Sequence, residues 1–326
     1  MTHSEAGTRR RTWLVAGSLA CVWPWVQAQT GKPMRLVVPF TPGGSTDILA
    51  RALAPRLAAA LGQHVIVDNK PGAGGALGAA EVARAEADGQ TLLMGHIGTL
   101  AVNPSIYPRL GYDPIKSFAA VAWVARVPNV LVVNAQSPTR TFKEFIERAK
   151  SMPGRLSYSS GGNGSAAHIT FEYLKLKTQI FLLHIPYRGT APSVTDLISG
   201  QVDATFTGTP AVLPHIRSGR LRALAVSSAQ RLSALPEVPT VAESGYPGFE
   251  ADQWYGIVAP VGTPAAILAR LNGEINKALA LPELAQQLAV EGAVPTPATP
   301  SAFADLIERE IPRWAEVVKA GNVKPD

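Results

Sequence analysis

An α/β fold divided between two lobes is the arrangement this sequence predicts. Short apolar runs of strand type alternate with Ala/Leu-rich runs of helical spacing, the pattern of mostly parallel sheets flanked by helices. The alternation breaks at Pro128-Asn129, resumes as a second set, and ends with a strand-like return at Trp254-Tyr255-Gly256-Ile257. With 326 residues, 46% of them hydrophobic, the chain is large enough to bury a core in each lobe.

The first 28 residues stand apart from that fold. Arg9-Arg10-Arg11 is a basic start, 14–26 an apolar stretch, and Val26-Gln27-Ala28 a small-residue cleavage site. Pro24 interrupts the stretch, which is too short for a membrane span. Soluble export with cleavage after Ala28 is expected. Arg10-Arg11-Thr12-Trp13-Leu14 suits twin-arginine export as well as the general route. Cys21 is the only cysteine, so the mature chain forms no disulfide. Cleavage removes Arg9, Arg10, Arg11 and Glu5, and the net charge falls from +6 to +4. Scattered charge without aromatic interleaving argues against nucleic acid as a partner, while a mildly positive surface favours encounter with small anions.

Met34-Arg35-Leu36-Val37-Val38 begins the mature fold as a strand, broken by Pro39 and Pro42. Gly43-Gly44 then leads into a helix over 48–61, with Ser45 or Thr46 as its cap. Glycines without Cβ expose the backbone, and a helix start offers free N–H groups and a partial positive charge. Such a turn suits an anion, although a single one is equally a tight strand-to-helix connection. The pattern recurs. A strand over 64–69 is followed by Gly72-Ala73-Gly74-Gly75-Ala76-Leu77-Gly78, which misses a dinucleotide fingerprint because Leu77 stands at the third glycine. Thr91-Leu92-Leu93-Met94-Gly95 is a third strand, ending at a loop over 96–99.

The second set opens with extended segments over 119–127 and 130–134 and a helix over 141–151. A strand over 156–160 runs into Gly161-Gly162-Asn163-Gly164-Ser165 and another helix, to about 177. A strand over 180–186, Tyr187-Arg188-Gly189-Thr190 with a helix, and strands over 203–208 and 221–226 complete it. Strand 254–260 and helices over 264–281, 282–291 and 301–319 return to the first lobe. Lobe 1 is thus expected over 29–127 with 228–326, and lobe 2 over 128–227. Two crossings make a hinge, with a cleft between Gly-rich rims.

Few residues suggest chemistry. No Gly-x-Ser-x-Gly elbow occurs, and His168 with Glu172 four residues on reads as an ordinary helix pair rather than metal ligands. No catalytic residue, metal or cofactor is expected. Asp47 either favours the helix dipole, orients its loop, or accepts a bond from a ligand. His96 is either a ligand contact or a structural histidine, and Phe40 either core or pocket wall. Asn163, Ser165, Thr190 and Thr207 are neutral hydrogen-bonders at loop ends, so an anion there would be held by N–H groups and dipoles.

These residues also carry a family resemblance. Val38-Pro39-Phe40-x-Pro42-Gly43-Gly44-x-Thr46-Asp47, Asn69-x-Pro71-Gly72-Ala73-Gly74-Gly75, Asn103-Pro104-Ser105-Ile106-Tyr107, Ile185-Pro186-Tyr187-Arg188-Gly189, Gly200-Gln201-Val202-Asp203 and Pro239-Thr240-Val241-Ala242-Glu243 occur in order along the mature chain. In these it resembles the Bug family, the periplasmic solute receptors of tripartite tricarboxylate transporters. The resemblance implies a Venus-flytrap binding protein of the type II periplasmic class that binds a small carboxylate without chemistry. A membrane permease or a sensor protein would receive the solute, and the receptor would act as a monomer. Carried over by position, the lobe 1 contacts are Gly43, Gly44, Ser45, Thr46 and Asp47, with His96 and Thr99. Those of lobe 2 are Asn163, Gly164, Ser165, His168, Thr190 and Thr207. The rival expectation is an enzyme acting on a carboxylate in the same cleft.

Overall fold

The computed structural model describes residues 32–290 and 292–325, so the expected signal segment lies outside the described residues. β1 (Met34–Val38) leads into α1 (Ser45–Leu61), and β2 (Val65–Asn69) through a short turn into α2 (Ala76–Ala83). β3 (Thr91–His96) is followed by a wide helical turn over Gly98–Val102 and α3 (Asn103–Ile106). β4 (Phe118–Val127) then crosses at Pro128 into β5 (Asn129–Asn134) and α4 (Phe142–Ser151). The second lobe continues with β6 (Ser157–Ser160), α5 (Ala166–Thr178), β7 (Leu183–Pro186), α6 (Thr190–Ile198), β8 (Ala204–Gly208), α7 (Thr209–Arg217) and β9 (Leu221–Val226). β10 (Gln253–Pro260), α8 (Ala265–Leu279), α9 (Pro282–Val290), β11 (Val294–Pro295) and α10 (Pro300–Ala320) finish the chain.

The two sheets share one plan. The first has the order β11-β4-β10-β3-β1-β2 and the second β7-β6-β8-β5-β9. β1 pairs in parallel with β2 and β3, and β6 with β7 and β8. One strand in each sheet enters from a crossing and runs the other way: β10 between β3 and β4, and β5 between β8 and β9. The sheets are therefore parallel except at those two strands and at the short edge strand β11, which pairs antiparallel with β4. Because β10 opposes β3, its first residues lie beside the last residues of β3, and Tyr255 pairs with His96.

Two helices escape the sequence reading, the one-turn α3 and the longer α7. α7 contains Pro210 and Pro214, which break the usual helix signature, yet Pro210 sits in the first turn where no amide bond is lost. Between β9 and β10 the chain forms no regular helix or strand. Val226 bridges Thr240, Tyr246 packs edge-on to Phe142, and Phe249 stacks on Tyr173 and Phe206, so its apolar anchors face second-lobe elements.

A continuous apolar core runs behind the crossings. α10 carries it, with Phe303 against Gly256 of β10 and Trp314 edge-on to Tyr173 of α5. The buried Glu310 accepts both the Trp254 and Trp314 indole N–H groups, at 3.1 and 2.7 Å. Among the described residues no helix is long and apolar enough to cross a membrane.

Candidate functional site

A chain of buried side chains ties the crossings together. The Asn129 side-chain amide donates to Thr170 Oγ1 at 3.0 Å and to the Ala251 carbonyl at 2.7 Å. Its Oδ1 accepts from Gln253, whose own Oε1 accepts from the Tyr255 hydroxyl. The Ser45 and Thr46 hydroxyls reach the Tyr255 oxygen from the start of α1. Ser45 and Thr46 are thus first-turn residues, not caps. The cap is Gly44, whose extended backbone carries no side-chain oxygen to cover the amides.

Three helix starts converge on one small cavity between the lobes. Gly44, Ser45 and Thr46 bring α1; Ser165, Ala166 and Ala167 bring α5; Thr190 brings α6. Phe40, His96, Gly161, Thr207, Gln253 and Tyr255 complete the wall. The first-turn N–H groups have no acceptor within their own helix, and each dipole adds roughly half a positive charge at its N-terminus. Neither α1 nor α6 has a side-chain cap. None of the lining residues is Asp, Glu, Lys or Arg. The cavity measures about 20 Å³, room for about one water molecule.

The lobes touch around it. A side chain on Gly208 would run into Ser45, and one on Gly189, at φ +139°, into Thr41. Tyr107 OH donates to the Asn163 carbonyl across the gap at 3.4 Å.

His96 is a neutral donor in this wall. Burial drives its pKa down to about 4, well below the ordinary histidine value. Its Nδ1 accepts the Thr99 N–H at 3.2 Å, which places the ring hydrogen on Nε2. Thr99 lies beneath the ring, closing a turn between its Oγ1 and the His96 backbone. Phe40 tilts onto His96 at 4.7 Å between centroids, so it is pocket wall.

Other expected contacts shape the rims instead. Asp47 accepts from Gly43 N–H at 2.9 Å, Arg51 Nε at 2.9 Å and Asn69 Nδ2 at 3.0 Å. Burial opposes its charge, but Arg51, the Gly43 amide and Asn69 together hold the carboxyl below its usual value. Asp47 thereby orients the loop, and it occupies the Gly43 amide in doing so. His168 Nδ1 accepts from Gly164 N–H at 3.2 Å, and its ring stacks on His184 at 3.7 Å. It supports the second Gly-rich rim from below. Asn163 meets the opposite lobe through its backbone carbonyl.

Gln253 and Tyr255 are the polar wall residues the sequence reading missed. Carboxyl ends of parallel strands mark such sites, whereas these two stand at the start of the reversed strand. The one available signal was polar-aromatic alternation in Gln253-Trp254-Tyr255.

A serine–histidine contact occurs below the second rim, with Ser160 Oγ 2.6 Å from His184 Nε2. Ser160 is fully buried and holds the Gly162 amide and carbonyl. Burial, with Lys175 nearby, drives the His184 pKa down to about 3, which makes it a poor base. Among the described residues no group of three or more His, Cys, Asp or Glu is placed to hold a metal.

Residues 49–323 match the model of the tripartite tricarboxylate transporter family receptor. Protein BugT of Bordetella pertussis is 42% identical over 294 residues, spanning 90% of either chain. The periplasmic binding protein BugD superposes with a TM-score of 0.86 at 38% identity, covering 90% of this chain and 98% of that one. An R. palustris protein, Rpa4515, solved with adipate gives 0.87 at 38% identity, covering 90% and 98%.

Proposed function

Because the chain belongs to the receptor family of tripartite tricarboxylate transporters, we propose that it captures a small carboxylate by closing two lobes over peptide N–H groups, and releases it unchanged. One observation carries this reading: three helix starts meet at a cavity whose wall holds no charged side chain. An anion there is matched by oriented dipoles, with no paired cation to discriminate among anions. His96, held neutral, adds an N–H donor that persists at physiological pH.

The residues in contact are Phe40, Gly44, Ser45, Thr46, His96, Ser165, Thr190 and Thr207, with Gln253 and Tyr255 joining them. Gly43, Asp47, Thr99, Asn163, Gly164 and His168 position the rims. Relatives solved with adipate and with malate support a carboxylate as the solute. We place lobe 2 from 128 to about 251, extended beyond the sequence-based boundary at 227, because Tyr246 and Phe249 are anchored on it. The protein works in the periplasm, as its relatives do, after cleavage at Ala28, and acts as a monomer that hands its solute to a permease or sensor.

Thermal unfolding and calorimetry of the mature chain with a panel of carboxylates test this. A bound acid at about a hundred times its Kd should stabilise the protein by about 2.7 kcal/mol. Proton NMR should recover the acid unaltered after prolonged incubation. Steady conversion of the acid would favour the enzyme reading instead.

A further inference from the structure

Three groups meet at the hydroxyl of Ser160, beneath the second Gly-rich rim. The Gly162 N–H donates to its Oγ at 3.2 Å, the Gly162 carbonyl lies 3.1 Å away, and His184 Nε2 stands at 2.6 Å. A serine hydroxyl has one hydrogen to donate and two lone pairs that accept. The Gly162 N–H takes one lone pair. If the hydroxyl hydrogen pointed at His184, the Gly162 carbonyl would face a serine lone pair in a fully buried place. All three contacts are satisfied only when His184 carries its hydrogen on Nε2 and donates it, which leaves the serine hydrogen for the carbonyl.

The His184 ring is held in place for that bond. It stands on β7 opposite Tyr158 of β6, and it stacks on Tyr158 at 4.9 Å and on His168 at 3.7 Å between centroids. Tyr158 is itself tied, with Lys175, to the buried Glu172. Burial first, then neighbouring positive charge that includes Lys175, keeps both imidazoles neutral. The stacked pair thus holds the rim at two points. His184 acts through Ser160 at Gly162, and His168 Nδ1 accepts the Gly164 N–H directly. Gly161 and Ser165, on either side of that span, both line the small cavity between the lobes, whereas His184 lines no part of it.

We propose that His184 is a positioning residue for solute capture: donating from Nε2, it turns the Ser160 hydroxyl onto the Gly162 carbonyl and so sets where the second rim and the first turn of α5 meet the solute. This rests on the carboxylate reading above, and it concerns the placement of the rim rather than the identity of the acid. A side chain with a donor at the same reach should replace His184. One that only fills the volume of the ring should not.

Imidazole ¹⁵N spectra of the mature protein, free of solute, test the hydrogen placement directly. His184 should carry its hydrogen on Nε2, and so should His168, whose Nδ1 is the acceptor. Calorimetry with the carboxylate panel, adipate and malate among it, then compares wild type, His184→Phe and His184→Gln. His184→Phe should bind roughly tenfold more weakly, and His184→Gln, whose side-chain amide donates at a similar reach, should stay within about twofold of wild type. Because the tautomer is read in the wild type, a poorly folded variant does not decide the matter. A hydrogen on His184 Nδ1, an unchanged affinity in His184→Phe, or equal losses in the two variants overturns the positioning role while leaving the acid seat standing. Wild type that binds no acid of the panel removes both.

Discussion

Gly74→Ala should abolish lobe closure while leaving the open protein folded. Gly74 has φ +58°, where a Cβ costs about 1 kcal/mol whether the lobes are open or shut. That part of the effect lowers the melting temperature by only a few degrees. The larger part arises across the gap. A methyl on Gly74 would run into the backbone carbonyl of Asn163 in the opposite lobe, and against Tyr107 OH at 3.2 Å. Neither the carbonyl nor the loop that Ser160 and His168 hold beneath it can move aside cheaply. Affinity for the solute should fall by about a hundredfold or more, and ligand-induced thermal stabilisation should vanish. Calorimetry and thermal unfolding on one preparation separate the two parts. Unaltered affinity would mean that the 71–75 loop does not close on the second rim.

Asn129→Ala should be the most damaging change at the crossings. The residue is fully buried, donates to Thr170 and the Ala251 carbonyl, and accepts from Gln253. Truncation leaves those partners without bonds in a dry interior, a loss on the order of 3 kcal/mol. Gln253 then loses the bond that fixes its amide, and with it the fixed position of the Oε1 that accepts from the Tyr255 hydroxyl. Both line the cavity, so affinity should drop by roughly tenfold beyond the stability loss. Denaturant unfolding gives the first number and calorimetry the second. A stability change under about 0.5 kcal/mol would show that these bonds do not hold the crossings.

The site was legible where its chemistry belongs to the backbone. Gly43-Gly44 and the run over 161–164 are glycine for reasons of approach, and such positions show in a sequence as motifs. Residues whose role depends on the direction of a neighbouring strand were not legible. Tyr255 and Gln253 reach the cavity only because β10 enters against β3, and nothing in their local pattern states that direction. Asp47 was read with alternatives open, and its partners were not legible: Asn69 and Arg51 are distant or helical neighbours that only the fold brings together. The capping of α1 was misread for a similar reason. Ser45 and Thr46 are the better intrinsic caps, but they stand inside the first turn and Gly44 takes the position. The segment over 228–251 has no regular periodicity to read, and its anchors, Tyr246 and Phe249, find their partners only in three dimensions.

Amide resonances measured while a carboxylate is added examine the role of the peptide groups most directly. In a ¹H–¹⁵N spectrum of the mature chain, the amides of Ser45, Thr46, Ala166, Ala167 and Thr190 should shift together and saturate at the concentration that saturates calorimetric binding. Saturation of binding while those five remain in place would contradict the account, because the acid would then be held by something other than the helix starts.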